Sequence, residues 1–184
     1  MAIFNNPGNI LFGQNFAGET GEYYIGKENK LKYAIFDSPE MGLRALYKDV
    51  QTKLKNSGGD VEDALLRYLG GDNIEDTKEE RYIRATTDNI DPKGYIQRGI
   101  KAWDTEGQTG LVKQIIENEN LPEHRKYYLD NKEAIDIAEK LSIMDLPSGT
   151  TFENALKVYQ QGEYSRKEGG MISRNPYPYN PRPI

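Results

Sequence analysis

The carboxylates are the side chains best able to do chemistry in this sequence, which has no cysteine and a single histidine, His124. A thiolate nucleophile, a thiolate zinc site and a disulfide framework are excluded. One imidazole likewise excludes the usual metal clusters built on two or more, so neither metal nor other cofactor is expected. A glycosidase-type site needs one carboxyl kept protonated by an apolar setting and a second group across the bond. Two glutamates come nearest. Glu40 lies in a helix-start motif, and Glu119 follows the apolar pair Ile115-Ile116, where partial burial would suit a general acid. For both, the plainer reading is stronger. Glu40 would sit at the positive end of a helix dipole, four residues before Arg44, and both features stabilise the charged form. Glu119 would be a solvated helix end in an acidic run with Glu117. No catalytic residue is assigned.

Other constellations are weaker still. Glu19 and Glu22 lie in a Gly-rich loop, where catalytic groups often sit, but nothing fixes their separation. Ser38 with His124 as its base would have to draw on the single histidine of the chain, and Ser38 is better explained as a helix cap. His124, between Glu123 and Arg125, reads as an exposed residue. Gly8, Gly13, Gly18, Gly21 and Gly26 lack the Lys-Ser/Thr pair and the parallel strand–helix unit of a phosphate cradle. Turn chemistry accounts for them.

Positioning falls to a string of short elements. Residues 5–36 are rich in Gly, Asn and aromatics, with β-type runs around Asn15–Ala17, Tyr23–Ile25 and Leu31–Phe36. They predict a small irregular sheet or hairpin. Ser38-Pro39-Glu40 is a strong helix start, followed by Met41, Ala45, Leu46, Val50 and Leu54 at helical spacing. Asn56-Ser57-Gly58-Gly59 stops that helix. Asp60 caps the next, whose face is Val61, Ala64, Leu65 and Tyr68, and Gly70-Gly71 breaks it.

The charged stretch Asp72–Glu80 leads into a helix carrying Tyr82, Ile83 and Ala85. Pro92 opens another through Tyr95, Ile96, Ile100 and Trp103. Thr105 with Gln108 matches a capping box ahead of Leu111, Ile115 and Ile116. A charged link after Leu121-Pro122 precedes a helix through Ala134, Ile135, Ala138 and Leu141. A short helix, about Phe152 to Tyr159, closes the body. The expected fold class is mainly α with a small β part. It comprises a compact helical body over 1–161 with an N-terminal Gly/Asn-rich β element, and an extended docking tail over 162–184.

The tail is the most informative segment. Pro176, Pro178, Pro181 and Pro183 forbid helix and central strand and favour an extended polyproline-like course. Such a segment loses little entropy on docking, while Tyr supplies area and a polar handle. Arg174, Tyr177, Pro178, Tyr179, Pro181 and Arg182 are the expected partner-binding residues, the arginines through bidentate bonds. Net charge is −5, so affinity for a phosphate backbone is not expected. No stretch approaches the ~20 apolar residues of a membrane span, and Met1 to Gly13 lacks the layout of a secretion signal. The chain therefore reads as soluble and made in a cytoplasm.

Three stretches together carry a family resemblance. Asn5-Asn6-Pro7-Gly8-Asn9-Ile10 and Phe36-Asp37-Ser38-Pro39-Glu40-Met41-Gly42-Leu43-Arg44-Ala45-Leu46 are similar to a family of tailed-bacteriophage virion proteins usually called "structural protein". That family pairs an NNPGN opening with an F-x-S-P-E-x-G-[IL]-R-A helix start. Val61–Leu69 and Tyr82-Ile83 stand where the family has an isoleucine-faced helix and a Tyr-Ile motif. Leu111–Asn120 looks like its second helix, which typically ends in His-Glu-Asn-Gly. Here Asn118 replaces the His and Leu121 the Gly, so a role resting on that histidine does not carry over. The resemblance spans about residues 4–141, and the tail resembles Pro-Tyr termini of short-tailed-phage virion proteins.

The resemblance implies a place in a virion, in or near the tail or internal core. The expected partners are other virion proteins such as portal, tail or core subunits. It also implies, as an alternative, a virion-associated peptidoglycan-cleaving domain of lysozyme or lytic transglycosylase character.

Overall fold

The computed structural model describes residues 4–24, 31–70, 77–102 and 104–169, without the side chains of Thr77, Lys78, Pro92 and residues 163–169. The chain is mainly helical, with eight α-helices among the described residues and one small antiparallel sheet. Strand β1, Glu19–Tyr24, pairs with β2, Lys32–Phe36, setting Tyr23 opposite Tyr33 and Glu22 opposite Ala34. The preceding segment continues the ladder. Ala34 N–H donates to the Ile10 carbonyl at 2.9 Å and Phe12 N–H to that of Lys32 at 2.8 Å. Asn15–Ala17, expected as a β run, is irregular chain leading into a turn at Ala17 instead, with Asn15 at φ 59°. Asn5 and Asn9 also have positive φ, 53° and 47°, a region that asparagine visits more cheaply than bulkier residues.

Helix α1, Pro39–Asn56, starts where the sequence predicts. Ser38 is extended and its Oγ accepts the Met41 N–H at 3.2 Å. Gly58 and Gly59, at φ 65° and 94°, carry the chain into α2, Val61–Tyr68, capped by the Asp60 carboxylate on Asp63 N–H at 2.8 Å. Then follow α3, Thr77–Ile90, a single 3-10 turn at Asp91–Lys93, and α4, Tyr95–Arg98. Helices α5, Thr105–Glu119, α6, Pro122–Leu129, α7, Lys132–Ser142, and α8, Phe152–Gly169, complete the body.

Helix α1 is the hub. It packs against α2, α5, α7 and β2, and every residue from Met41 to Tyr47 is buried. A helix apolar on one stripe would show a solvated side here; this stretch is enclosed all round, and only past it does α1 expose Thr52, Lys55 and Asn56. Replacing Leu43 or Leu46 by Ala would leave a cavity worth about 2–5 kcal/mol.

Several boundaries differ from the sequence expectation. Gly99 at φ 69° ends α4, so the helix from Pro92 does not reach Trp103, which lies outside the described residues. Helix α5 is capped by Asp104, which accepts the Gly107 N–H at 3.0 Å, and not by Thr105. Gln108 is instead buried, its amide donating to the carbonyls of Lys101 and Ala102 at 3.2 and 3.1 Å.

The expected charged link after Pro122 is helix α6. Proline suits a first turn, and Tyr128 is the one fully buried residue of that helix, too little to produce an apolar period. Helix α8 runs through Gly169, past position 162, where the shift in composition suggested an extended tail. Gly26, Gly71, part of the charged run after it, and residues 170–184 lie outside the described residues. No helix among the described residues is long and apolar enough to cross a membrane.

Candidate functional site

The Asn-rich loop at residues 5–9 is clamped between the first turns of α1 and the end of α5. Asn6, 5 % exposed, fastens it to the sheet. Its Nδ2 donates to the Ile10 and Ala34 carbonyls at 2.9 Å each, and its Oδ1 accepts Ile10 N–H at 2.8 Å. A buried amide with three partners is satisfied on both its donor and acceptor sides, so it orders the loop without a desolvation penalty left over. Asn5 Nδ2 adds a bond to the Phe36 carbonyl at 3.1 Å.

Seating this loop on α1 requires glycine. A Cβ on Gly42 would lie 1.6 Å from the Asn5 carbonyl oxygen, and one on Gly8 would lie 2.6 Å from Leu46 Cδ1. The Gly8 carbonyl accepts the Tyr68 hydroxyl from α2. On the other side Asn120 Nδ2 donates to the Pro7 carbonyl at 2.7 Å and to Ile116 at 3.0 Å. Asn9 Nδ2 donates to Glu119 Oε2 at 2.7 Å. The stretches 5–10, 36–46 and 111–120 therefore meet at one junction.

Glu119, half-buried, is the carboxylate at its centre. The rings of Tyr68 and Tyr82 lie beside it with centroids 6.5 Å apart. Burial pushes both phenols far above their ordinary range, and the Glu119 charge adds to it. The Tyr82 hydroxyl is buried and meets no hydrogen-bond partner in good geometry. Lys53, paired with Asp49, lies 5.7 Å over the Tyr68 ring. The cluster thus offers one carboxylate, amides bonded to backbone and carboxylate, and phenols held neutral. Chemically it can lock three segments together.

Glu40 stands elsewhere, in the first turn of α1, and the expected pairing with Arg44 is not made. Arg44 turns inward, 2 % exposed, donating Nε to the Leu141 carbonyl at 3.1 Å and Nη2 to Met144 at 2.9 Å. Leu141 lies in the last turn of α7 and Met144 just beyond it, and the Leu141 carbonyl also accepts the Met144 N–H at 3.1 Å; a cation there opposes the negative end of the helix dipole. Burial pulls the guanidinium down to about 10, with Asp145 acting the other way, so it stays charged at neutral pH.

The remaining candidates are scattered. Ser38 caps α1. Glu19 accepts Gly13 N–H at 2.7 Å and Phe16 N–H at 3.3 Å, and Glu22 pairs with Lys32 at 2.9 Å. His124 is half-buried, not exposed. Arg174, Tyr177, Pro178, Tyr179, Pro181 and Arg182 lie outside the described residues. Among the described residues no group of acidic or histidine side chains could hold a metal.

Sequence reasoning missed Asn120, Tyr82 and Asp37 as positioning residues. Asp37 Oδ2 accepts the N–H of Phe152 at 2.7 Å and so caps α8. Burial raises the Asp37 carboxyl above its usual range, and that bond opposes the rise. The one readable signal was Gly42, a glycine inside a helix, which marks a close approach of backbone. No protein-family model and no curated protein matches the chain.

Proposed function

We propose that this protein is a structural and assembly component of a tailed-bacteriophage particle. Its helical body would associate with the tail or internal core and dock on a neighbouring virion subunit through the C-terminal segment. The observation that supports this reading is the junction itself. Asn5, Asn6, Gly8, Asn9, Ser38 and Gly42, which define the two motifs, are all engaged in internal bonds or close packing. Glu19, Glu22 and Glu119 each hold a structural partner. Residues used in this way define a rigid body that presents other surfaces to partners. The test is to produce particles with the chain ended after Gly170. The expected result is a body still helical by circular dichroism but missing from purified particles. Incorporation at the full-length level would sink the docking role.

Peptidoglycan cleavage is the second reading, and one observation favours it. Glu119 is bonded to Asn9 at 2.7 Å and stands near the unbonded Tyr82 hydroxyl. Purified chain incubated with isolated peptidoglycan would then release muropeptides, and Glu119→Gln would abolish the release. Folded protein that releases none removes this reading.

A further inference from the structure

Helix α8 is held to the body at few points. Its start is fixed by Asp37 Oδ2, which accepts the Phe152 N–H at 2.7 Å. Phe152 and Tyr159 pack partly buried against the core, and Ala155 is the one fully buried residue between positions 152 and 162. Helix α7, by contrast, buries Ala134, Ile135, Ala138, Leu141 and Ser142. Among the described elements only α7 meets α8 more than marginally, and α8 is not among the chief partners of the α1 hub. Local order in α8 needs little from the body. Thr151 Oγ1 accepts the Asn154 N–H at 3.4 Å, and Lys157 pairs with Glu153, one turn back, at 2.7 Å.

The link before α8 is built to turn. Arg44 Nη2 fixes the chain at the Met144 carbonyl, 2.9 Å away, and Leu146 still packs on the core. Pro147, Ser148 and Gly149 are then exposed. The bonds among residues 147–150 are internal, Thr150 donating its N–H to the Pro147 carbonyl at 3.2 Å and its hydroxyl to the same oxygen at 2.7 Å. Gly149 stands at φ 79°, and a glycine takes up a change of backbone angle at little cost. We infer that α8 is a hinged arm, which swings off the body about residues 147–150 as one unit while α1–α7 and the sheet stay folded. The free energy of such an opening follows what it uncovers, and here that is chiefly one alanine, parts of two aromatic rings and one capping bond. The arm goes beyond the assembly reading and does not depend on it. By chain connectivity it carries residues 170–184. A helix of 18 residues is about 27 Å long, so a swing about its start displaces that segment by a distance of this order.

Native-state hydrogen exchange of the full chain over a urea series tests it. Amides of residues 156–162 should exchange through an opening with little urea dependence, at least ~tenfold faster than those of α1 and α5, whose exchange requires global unfolding. The chain has no cysteine, so one introduced thiol gives a second readout. The Ala155→Cys thiol should react with a thiol reagent at least ~tenfold faster than the Val112→Cys thiol, buried in α5. Adding Asp37→Ala removes the capping bond and should speed the first about fivefold, the size of a lost cap, while leaving the second unchanged. Exchange in the wild type guards against a seat loosened by the new sulfur, and circular dichroism checks the fold of each variant. If residues 156–162 exchange only together with α1 and α5, with the same urea dependence, α8 is part of the core and the inference fails. It fails too if Asp37→Ala speeds both thiols alike or neither.

Discussion

Gly42→Ala is the sharpest perturbation of the junction, because propensity and packing predict opposite signs. Alanine in a helix interior is favoured over glycine by about 0.8–1 kcal/mol. Yet the new Cβ would stand 1.6 Å from the Asn5 carbonyl oxygen, where real Cβ atoms stay beyond 3.0 Å. The loop must then retreat by at least about 1.4 Å, the difference of those two distances. A shift of that size cannot keep the Asn6 bonds of 2.8–2.9 Å and the Asn5 bond of 3.1 Å together. Losing three or four buried bonds at about 1 kcal/mol each, against the propensity gain, leaves a net loss of about 2–3 kcal/mol. In a chain of this length that lowers Tm by about 5–10 °C.

Gly110→Ala in α5 is the control, since its Cβ would meet only Ile90 Cγ2 at an ordinary 3.8 Å. There the propensity term stands alone, and Tm should rise by a few degrees. Thermal and urea unfolding followed by circular dichroism read both. If Gly42→Ala were neutral or stabilising, like Gly110→Ala, the loop would not be seated on α1 and the clamped junction would be wrong.

Arg44→Met should cost about 2–4 kcal/mol in urea unfolding, because it strips donors from two carbonyls at the end of α7; a loss under about 1 kcal/mol would refute that role. Tyr68→Phe should destabilise by about 1 kcal/mol through its lost bond to Gly8, whereas Tyr82→Phe, which removes an unbonded buried hydroxyl, should be neutral or stabilising. Equal losses from the two would contradict the difference between their hydroxyls. Tyr23 makes the fold sensitive to alkali. Its phenol is pushed from 10.0 up to about 12, by burial first and Tyr33 second, so the folded state holds this proton more tightly than the unfolded chain. The stability this contributes is complete below pH ~10 and is lost as pH rises through ~12, about 1–2 kcal/mol after allowance for partial exposure. Tyr23→Phe should therefore raise the alkaline unfolding midpoint, and an unchanged midpoint would show that the phenol is not held this way.

Much of the helical framework was legible because its signals act within a few residues. Ser38 reaches Met41 and Asp60 reaches Asp63, both three residues on, so a short window contains donor, acceptor and helix start together. The turn-rich N-terminus was legible for the same reason, since Asn and Gly carry their backbone preferences with them. Helix α6 was not, because one buried tyrosine in eight residues leaves no period to detect.

The junction depended on tertiary structure throughout. Glu40 and Arg44 have the spacing of an ion pair, but Arg44 turns inward to two carbonyls about a hundred residues away, and a buried polar group left unpaired costs more than an exposed ion pair returns. Asp37 carries no local sign of its bond to Phe152, and Glu119 reads as a solvated helix end until Asn9 closes on it. Residue type and local spacing determined most of the segments that are helix, turn or strand, α6 apart. Which polar groups met across the core was decided only when the α1 hub brought distant segments within bonding distance, because a side chain's partner is chosen by the desolvation it must offset and not by its neighbours in sequence.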